Sequence, residues 1–165
     1  MKFFQKNIAF VTSVVSLMLL VLTVAGAEGK SVDEYNVPSE VEACIKKVPG
    51  LLISGEINPF YLSGDFNGDG KLDFAVQVLR SGSKGIVFCL ANSKDPFLLG
   101  AGSSLVFPAK DRWRFDAWSI IPKENKSLSR PAKARYDAIL LDIKETANGL
   151  LYWDGSRMQW FQLED

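Results

Sequence analysis

The sequence predicts a single α+β domain in which one N-terminal helix packs on a mainly antiparallel β-sheet built of hairpins. Three observations support this class. One stretch near the N-terminus has apolar residues at helical spacing, most of the remaining sequence alternates between apolar and polar residues, and short turns separate the alternating runs. A single helix followed by consecutive hairpins is typical of small α+β proteins.

Residues 1–27 are predicted to be a signal peptide. Lys2 and Lys6 precede the apolar run "IAFVTSVVSLMLLVLTV", and the small residues at 25–27 suit a signal-peptidase cut before Glu28. Because the run is about as long as a short membrane span, an uncleaved anchor is the alternative. We expect a periplasmic or secreted protein that contacts a membrane only if this segment is retained.

The remaining 138 of the 165 residues suffice for one domain with its own core. We assign 28–37 to a flexible N-terminal segment and 38–165 to the domain. Without Lys2 and Lys6 the chain has 17 basic and 19 acidic residues, a net charge of about −2. This balance predicts no nucleic-acid partner, because proteins that bind nucleic acids have a strong excess of basic residues.

The predicted helix is "PSEVEACIKKVPG", residues 38–50. Ser39 and Glu42 have the spacing of a capping box, and Pro49-Gly50 ends the segment. Apolar residues recur on one face of this helix, at Val41, Cys44, Ile45 and Val48.

The predicted strands follow in hairpin order. They are "EINPFYLSG" (56–64), "DFAVQVLR" (73–80), "IVFCLA" (86–91), "DRWRFDAWSIIP" (111–122), "YDAILLDIKE" (136–145) and the two arms of "GLLYWDGSRMQWFQLE" (149–164). The last pair is the clearest hairpin, because Asp154-Gly155 favours a tight turn between two aromatic-rich runs.

Cys44 and Cys89 are predicted to form a disulfide, since an export signal places them where disulfides persist. The bond would close a loop of about 45 residues and contribute roughly 4 kcal/mol in the chain-entropy description. Two buried free thiols are the alternative.

The stretch "SGDFNGDGKLDFAV", residues 63–76, is the most distinctive part of the sequence. Numbered from its first aspartate, it places side-chain oxygens at positions 1, 3, 5 and 9, on Asp65, Asn67, Asp69 and Asp73. Position 7 is Lys71, which offers its backbone carbonyl while its ammonium points to water, and Gly70 permits a sharp turn. Calcium is a hard cation that takes six to eight oxygens. The loop at 65–73 therefore predicts one structural Ca²⁺ ion, and a metal-free Asx-rich turn is the alternative.

This stretch resembles the calcium loop of FG-GAP and VCBS-type repeats, the blades of integrin-like β-propellers. In that family the positions corresponding to the same four side chains and to the Lys71 carbonyl hold calcium. A full propeller needs at least four blades, which a single loop in 138 residues cannot supply. The resemblance therefore implies one copy of the calcium loop within a small sheet domain. The whole chain also looks like small exported bacterial proteins of unassigned role that carry one such loop.

Other groups of residues have two interpretations. The late aromatics fit either a domain core or a partner surface; they are Trp113, Phe115, Trp118, Tyr152, Trp153, Trp160 and Phe161. The basic side chains of the middle region fit either an acidic partner or a solvated face; they are Arg112, Arg114, Lys123, Lys126, Arg130 and Lys133.

The chain has no histidine, no G-x-S-x-G elbow and no phosphate-binding loop, so we predict no catalytic residues. The expected function is a non-enzymatic, calcium-stabilised module that binds an unknown protein or envelope polymer. One alternative is a small carboxylate-dependent hydrolase acting on envelope polymers; Glu124 with Asp137 or Asp142 is an example of its acid pair, which the sequence does not favour over other acids. The other is a purely structural envelope protein.

Overall fold

The computed structural model describes residues 29–103, 115–143 and 147–163, which form two antiparallel sheets. The first contains β1 (Gly29–Lys30), β2 (Leu52–Ser54), β3 (Tyr61–Gly64), β4 (Asp73–Arg80), β5 (Ser83–Cys89) and β6 (Phe97–Gly100). Strands β2 and β3 pair with successive parts of β4, and β5 pairs with its other edge. The predicted signal peptide and Trp113 lie outside the described residues.

The second sheet is a meander in chain order. It contains β7 (Ala117–Ile121), β8 (Ala138–Ile143), β9 (Ala147–Trp153) and β10 (Met158–Gln162). The predicted hairpin at the C-terminal end is confirmed, because Trp153 pairs with Met158 across a four-residue turn.

The predicted α+β class, with one helix packed on a mainly antiparallel β-sheet, is wrong. The described residues contain one α-helix, α1 (Ser39–Ile45), of only seven residues, and a 3-10 turn at Val32–Glu34. The second layer of the fold is another sheet. A helix of about two turns is too short to cover a six-stranded sheet.

Strand β4 shows why a second sheet is needed, because it is buried from Asp73 to Leu79. One face of the first sheet, including Phe74 and Val76, packs with the buried α1 residues Val41 and Cys44. The opposite face is equally apolar and packs against the second sheet; its cluster includes Ala75, Ile86, Phe88, Trp118, Ile139, Leu141 and Leu151. A sheet that is apolar on both faces must be covered on both.

The predicted helix is shorter than expected and lacks its predicted cap. It ends at Ile45, and the Ser39 hydroxyl bonds Glu40 instead of capping the first turn. The segment 28–37, predicted to be flexible, contributes structure: Gly29 and Lys30 pair with β2, and Val32 is buried. Among the described residues, no helix is long and apolar enough to cross a membrane.

The disulfide prediction is confirmed: Cys44 of α1 is bonded to Cys89 at the end of β5, with their Cα atoms 5.8 Å apart. The late aromatics are mostly core residues. Trp118 and Tyr152 are buried, and partly buried Phe115, Trp153, Trp160 and Phe161 pack against the same clusters.

Candidate metal centre

The acidic loop, residues 65–72, connects β3 to β4. Gly64 and Asp73 are the last paired residues of these strands, so eight residues form the connection. Two other connections reach the same place: the β5–β6 connection through Asn92, and the β7–β8 connection through Tyr136 and Asp137. The loop therefore lies at one end of the domain, where both sheets contribute residues.

Backbone N–H groups hold the acidic loop closed. The Asp65 carboxylate accepts from Gly68 N at 2.8 Å and from Gly70 N at 3.2 Å. The Asn67 side-chain oxygen accepts from Asp69 N at 3.0 Å, and Asp69 Oδ1 accepts from Lys71 N at 2.8 Å. Gly70 has φ +76°, which favours glycine and lets the chain reverse between the two halves of the loop.

Asp73 is the buried member of the set, with 0% of its surface exposed. Its carboxylate accepts from Phe66 N at 3.1 Å and from Ala91 N at 2.8 Å. Burial raises the pKa of Asp73, the N–H bonds oppose that change, and the negative charge of Asp69 adds to it. No Lys or Arg of the described segments forms an ion pair with Asp73.

Asn92 is a neighbour that sequence reasoning missed. Its Nδ2 donates to Asp69 Oδ2 at 2.7 Å, and its Oδ1 accepts from Lys71 Nζ at 2.6 Å. The Lys71 ammonium was expected to point into water; it is instead bonded to this amide. Asn92 lies 23 residues from Asp69 in the chain, so no local pattern could indicate the contact.

Asp137 and Lys123 are the second set of neighbours. Asp137 Oδ2 accepts from Asp65 N at 2.9 Å, its Oδ1 accepts from Lys123 N at 3.0 Å, and its own N–H donates to Asp65 O at 3.2 Å. The Lys123 ammonium lies 4.0 Å from Asp65 Oδ2. The Tyr136 ring packs so closely on Gly68 that a Cβ there would lie 2.0 Å from it. The β7–β8 connection is thus joined to the acidic loop by backbone, charge and ring contacts.

The donors of the loop suit calcium in chemical type, since all are oxygens and three are carboxylates. Each carboxylate has about four lone-pair sites. Asp65 and Asp73 each use two of them on the N–H groups described above. Asp69 uses three, because Oδ2 accepts from both Asn67 and Asn92. Every predicted side-chain ligand therefore retains acceptor capacity for a cation.

The carboxylates do not yet share a common centre. Within the described segments, no three acidic or cysteine side chains are grouped closely enough to hold a metal ion. Each aspartate of the loop points at its own N–H donors, so coordination of one ion would require the side chains to rotate inward. Asn67 and the Lys71 carbonyl would add neutral oxygens.

In the described segments, no hydrogen bond joins the carboxylates of the three acids considered for hydrolysis. Asp137 uses both carboxylate oxygens on backbone amides. Asp142 lies on β8 opposite Asn148, and Glu124 is exposed on the β7–β8 connection. An open groove of about 210 Å³ lies beside the disulfide, between α1 and the β5–β6 connection, and none of these three acids lines it.

In comparisons with known proteins, no family model, no curated protein and no solved structure matches this chain. The resemblance of residues 63–76 to FG-GAP and VCBS-type loops therefore depends on the loop residues alone.

Proposed function

We propose that this chain is an exported binding module stabilised by one structural calcium ion in the acidic loop. Asp73 carries the proposal. It is a fully buried carboxylate at the end of a loop that contains two further aspartates, and the described residues offer it N–H donors but no cation. Burying a charge without a counter-charge is costly, and a divalent ion would remove that cost.

The side chains of Asp65, Asn67, Asp69 and Asp73 and the Lys71 carbonyl would hold the ion. When bound, calcium supplies positive charge that offsets repulsion among the three carboxylates. The ligands span the end of β3, the loop and the start of β4, so coordination would tie the two strands together. This role is structural, because coordination would fix the turn, and Asp137, a carboxylate bonded to the loop, uses both of its oxygens on backbone N–H groups.

A binding role is supported by where the connections meet. Residues of two connections, 90–96 and 122–137, both contact the acidic loop at one end of two packed sheets. Loops held by a rigid scaffold are the usual carriers of recognition. The partner class is a protein or an envelope polymer. The disulfide supports export, because such bonds persist in oxidising compartments.

The proposal is tested by titrating the chelator-stripped domain with calcium, using calorimetry and thermal unfolding. At calcium concentrations near one hundred times Kd, binding would stabilise the fold by about 2.7 kcal/mol. For a domain of this size that corresponds to roughly 10 °C in Tm. Asp69→Ala should abolish this gain, because Asp69 is an exposed loop ligand whose loss does not disturb the core.

The matched control is Asp95→Ala, which removes one exposed carboxylate from outside the loop. It should retain the full calcium response. If wild-type protein shows neither binding heat nor a change in Tm, the loop is a metal-free turn and the proposal is wrong.

A further inference from the structure

A second charged feature lies next to the acidic loop. The basic loop, residues 122–137, connects β7 to β8 and has five basic and two acidic side chains, a net charge of +3. Residues 29–103 have the opposite balance, with seven basic and nine acidic side chains. Positive charge is therefore concentrated on one connection of a domain whose first sheet is slightly acidic.

The basic loop has a fixed shape although it contains no helix or strand. The Arg130 guanidinium donates to the carbonyl oxygen of Pro122, at 2.8 Å, and to that of Tyr136, so it joins the two ends of the loop. Leu128 and Ala134 pack on the outer face of the second sheet. Arg130 thus acts internally, and the other four cations project from a preorganised backbone.

Those four cations lack strong partners. Lys126, Lys133 and Arg135 are exposed and make no hydrogen bond or ion pair through their side chains within the described part of the chain. Lys123 reaches only Asp65, at 4.0 Å.

Two lysines elsewhere in the domain are paired with acids. Lys46 lies 2.8 Å from Asp33 and 2.6 Å from Glu42, and Lys84 lies 2.5 Å from Glu56. Exposed cations without an acid partner in the described residues also occur singly, at Lys30, Lys94 and Arg157, so the basic loop differs in carrying several of them on one connection.

The surroundings favour a soluble polyanion over a bilayer. Membrane-surface binding combines basic residues with apolar side chains that enter the lipid. Among the described residues the exposed large apolar side chain is Leu72, at 59%, which belongs to the acidic loop. Tyr136, the aromatic residue of the basic loop, packs its ring on Gly68, so it is not free to stack on nucleobases as single-strand binders require.

We propose that the basic loop binds a flexible linear polyanion with phosphate groups along its backbone. A flexible polymer can adapt to four cations that lie within 13 residues of one connection, and Arg135 can bind a phosphate with two N–H donors. This specifies the partner of the binding function proposed above and requires no calcium ion.

The test measures binding of long-chain inorganic polyphosphate to the full domain in chelator, at several salt concentrations. Four phosphate contacts at about 0.7 each predict a slope of log K against log salt of about −3. The triple variant Lys126→Gln, Lys133→Gln, Arg135→Gln should reduce the slope by about 2 and lower affinity at least tenfold at low salt.

The control triple variant is Lys30→Gln, Lys47→Gln, Arg157→Gln. It removes three exposed cations from other parts of the domain and produces the same net charge. It should bind polyphosphate within about twofold of the wild type, because long-range charge is screened beyond about 10 Å in 0.1 M salt.

Three results would overturn the inference: no binding, equal losses in the two triple variants, or tighter binding to phosphatidylglycerol vesicles or to oligo(dT) than to polyphosphate. The calcium response of Tm is measured on the same samples. If polyphosphate binding fails while that response persists, only this inference is lost and the calcium proposal stands.

Discussion

Two Asp-Gly turns of this domain place aspartates in opposite electrostatic situations. In the β9–β10 turn, Asp154 alone accepts bonds from the Ser156 and Arg157 N–H groups, the Ser156 hydroxyl and the Gln159 amide. These bonds hold the pKa of Asp154 well below its usual range, with the Ser156 N–H making the largest contribution. In the acidic loop, burial raises the pKa of Asp73 instead.

The β9–β10 turn satisfies its single carboxylate with hydrogen-bond donors, whereas the acidic loop lacks a positive charge for its buried carboxylate. Asp154 is one partly exposed carboxylate that accepts four hydrogen bonds, so its turn requires no ion. The acidic loop has three carboxylates, and its buried member has no counter-charge among the described residues. An Asp-Gly pair in sequence therefore does not by itself indicate a metal; the balance between carboxylates and donors does.

The largest expected effect comes from removing the disulfide. The bond holds Cys89 at the end of β5, two residues before Ala91, whose N–H donates to the Asp73 carboxylate. Cys44→Ser should lower the free energy of unfolding by about 4 kcal/mol. Hydrogen exchange should quicken at Ala91 and remain unchanged at Ser156, because the β9–β10 turn is closed by its own residues. Reduced wild-type protein should behave like the variant. Uniformly faster exchange in both turns would show that the two regions are not independent.

The next effect compares the two aspartates directly. Asp73→Ala leaves the Phe66 and Ala91 N–H groups without an acceptor, which should cost about 3 kcal/mol in urea unfolding, with or without calcium. Asp73→Asn keeps one carbonyl acceptor and should cost less. Asp154→Ala should lower stability equally in calcium and in chelator. If Asp154→Ala reduced the stabilisation that calcium gives to the wild type, the two turns would not differ in their need for an ion.

The smallest effect is the dependence of stability on pH. Because the folded pKa of Asp73 is raised above 3.8, the folded state binds its proton more tightly than the unfolded state does. In chelator, the stability of the wild type relative to Asp73→Asn should therefore fall as pH rises from about 4 to about 7. Asp154 has the opposite sign: its contribution is present above 3.8 and is lost only as pH falls toward its lowered pKa. Urea unfolding between about pH 4 and about pH 7 measures the Asp73 difference, and a flat difference there would contradict the assignment. The loss of the Asp154 contribution is measured in the same way below pH 3.8.

Much of the local structure was predictable. The acidic loop, β4, β5, the C-terminal hairpin and the disulfide follow from turn residues, alternation and cysteine count. The two-sheet architecture was not predictable. Strand β4 presents apolar residues on both faces, and the sequence of one strand does not show whether a helix or a sheet covers each face. Strands β2 and β6 were missed because three or four residues are too few for a periodic pattern. Asp137, the main outside support of the loop, lies 72 residues from Asp65 and leaves no local signal.

The ring of Tyr136 over Gly68 determines which glycine of the acidic loop has space for a side chain. At Gly68 an added methyl group would collide with the ring, whereas at Gly70 nothing lies within 4 Å of the same position. The Tyr136 ring therefore covers the backbone at Gly68, whereas the backbone at Gly70 faces open space. Gly68→Ala would therefore have to displace the Tyr136 ring, whereas Gly70→Ala would meet only the backbone strain of its positive φ of +76°.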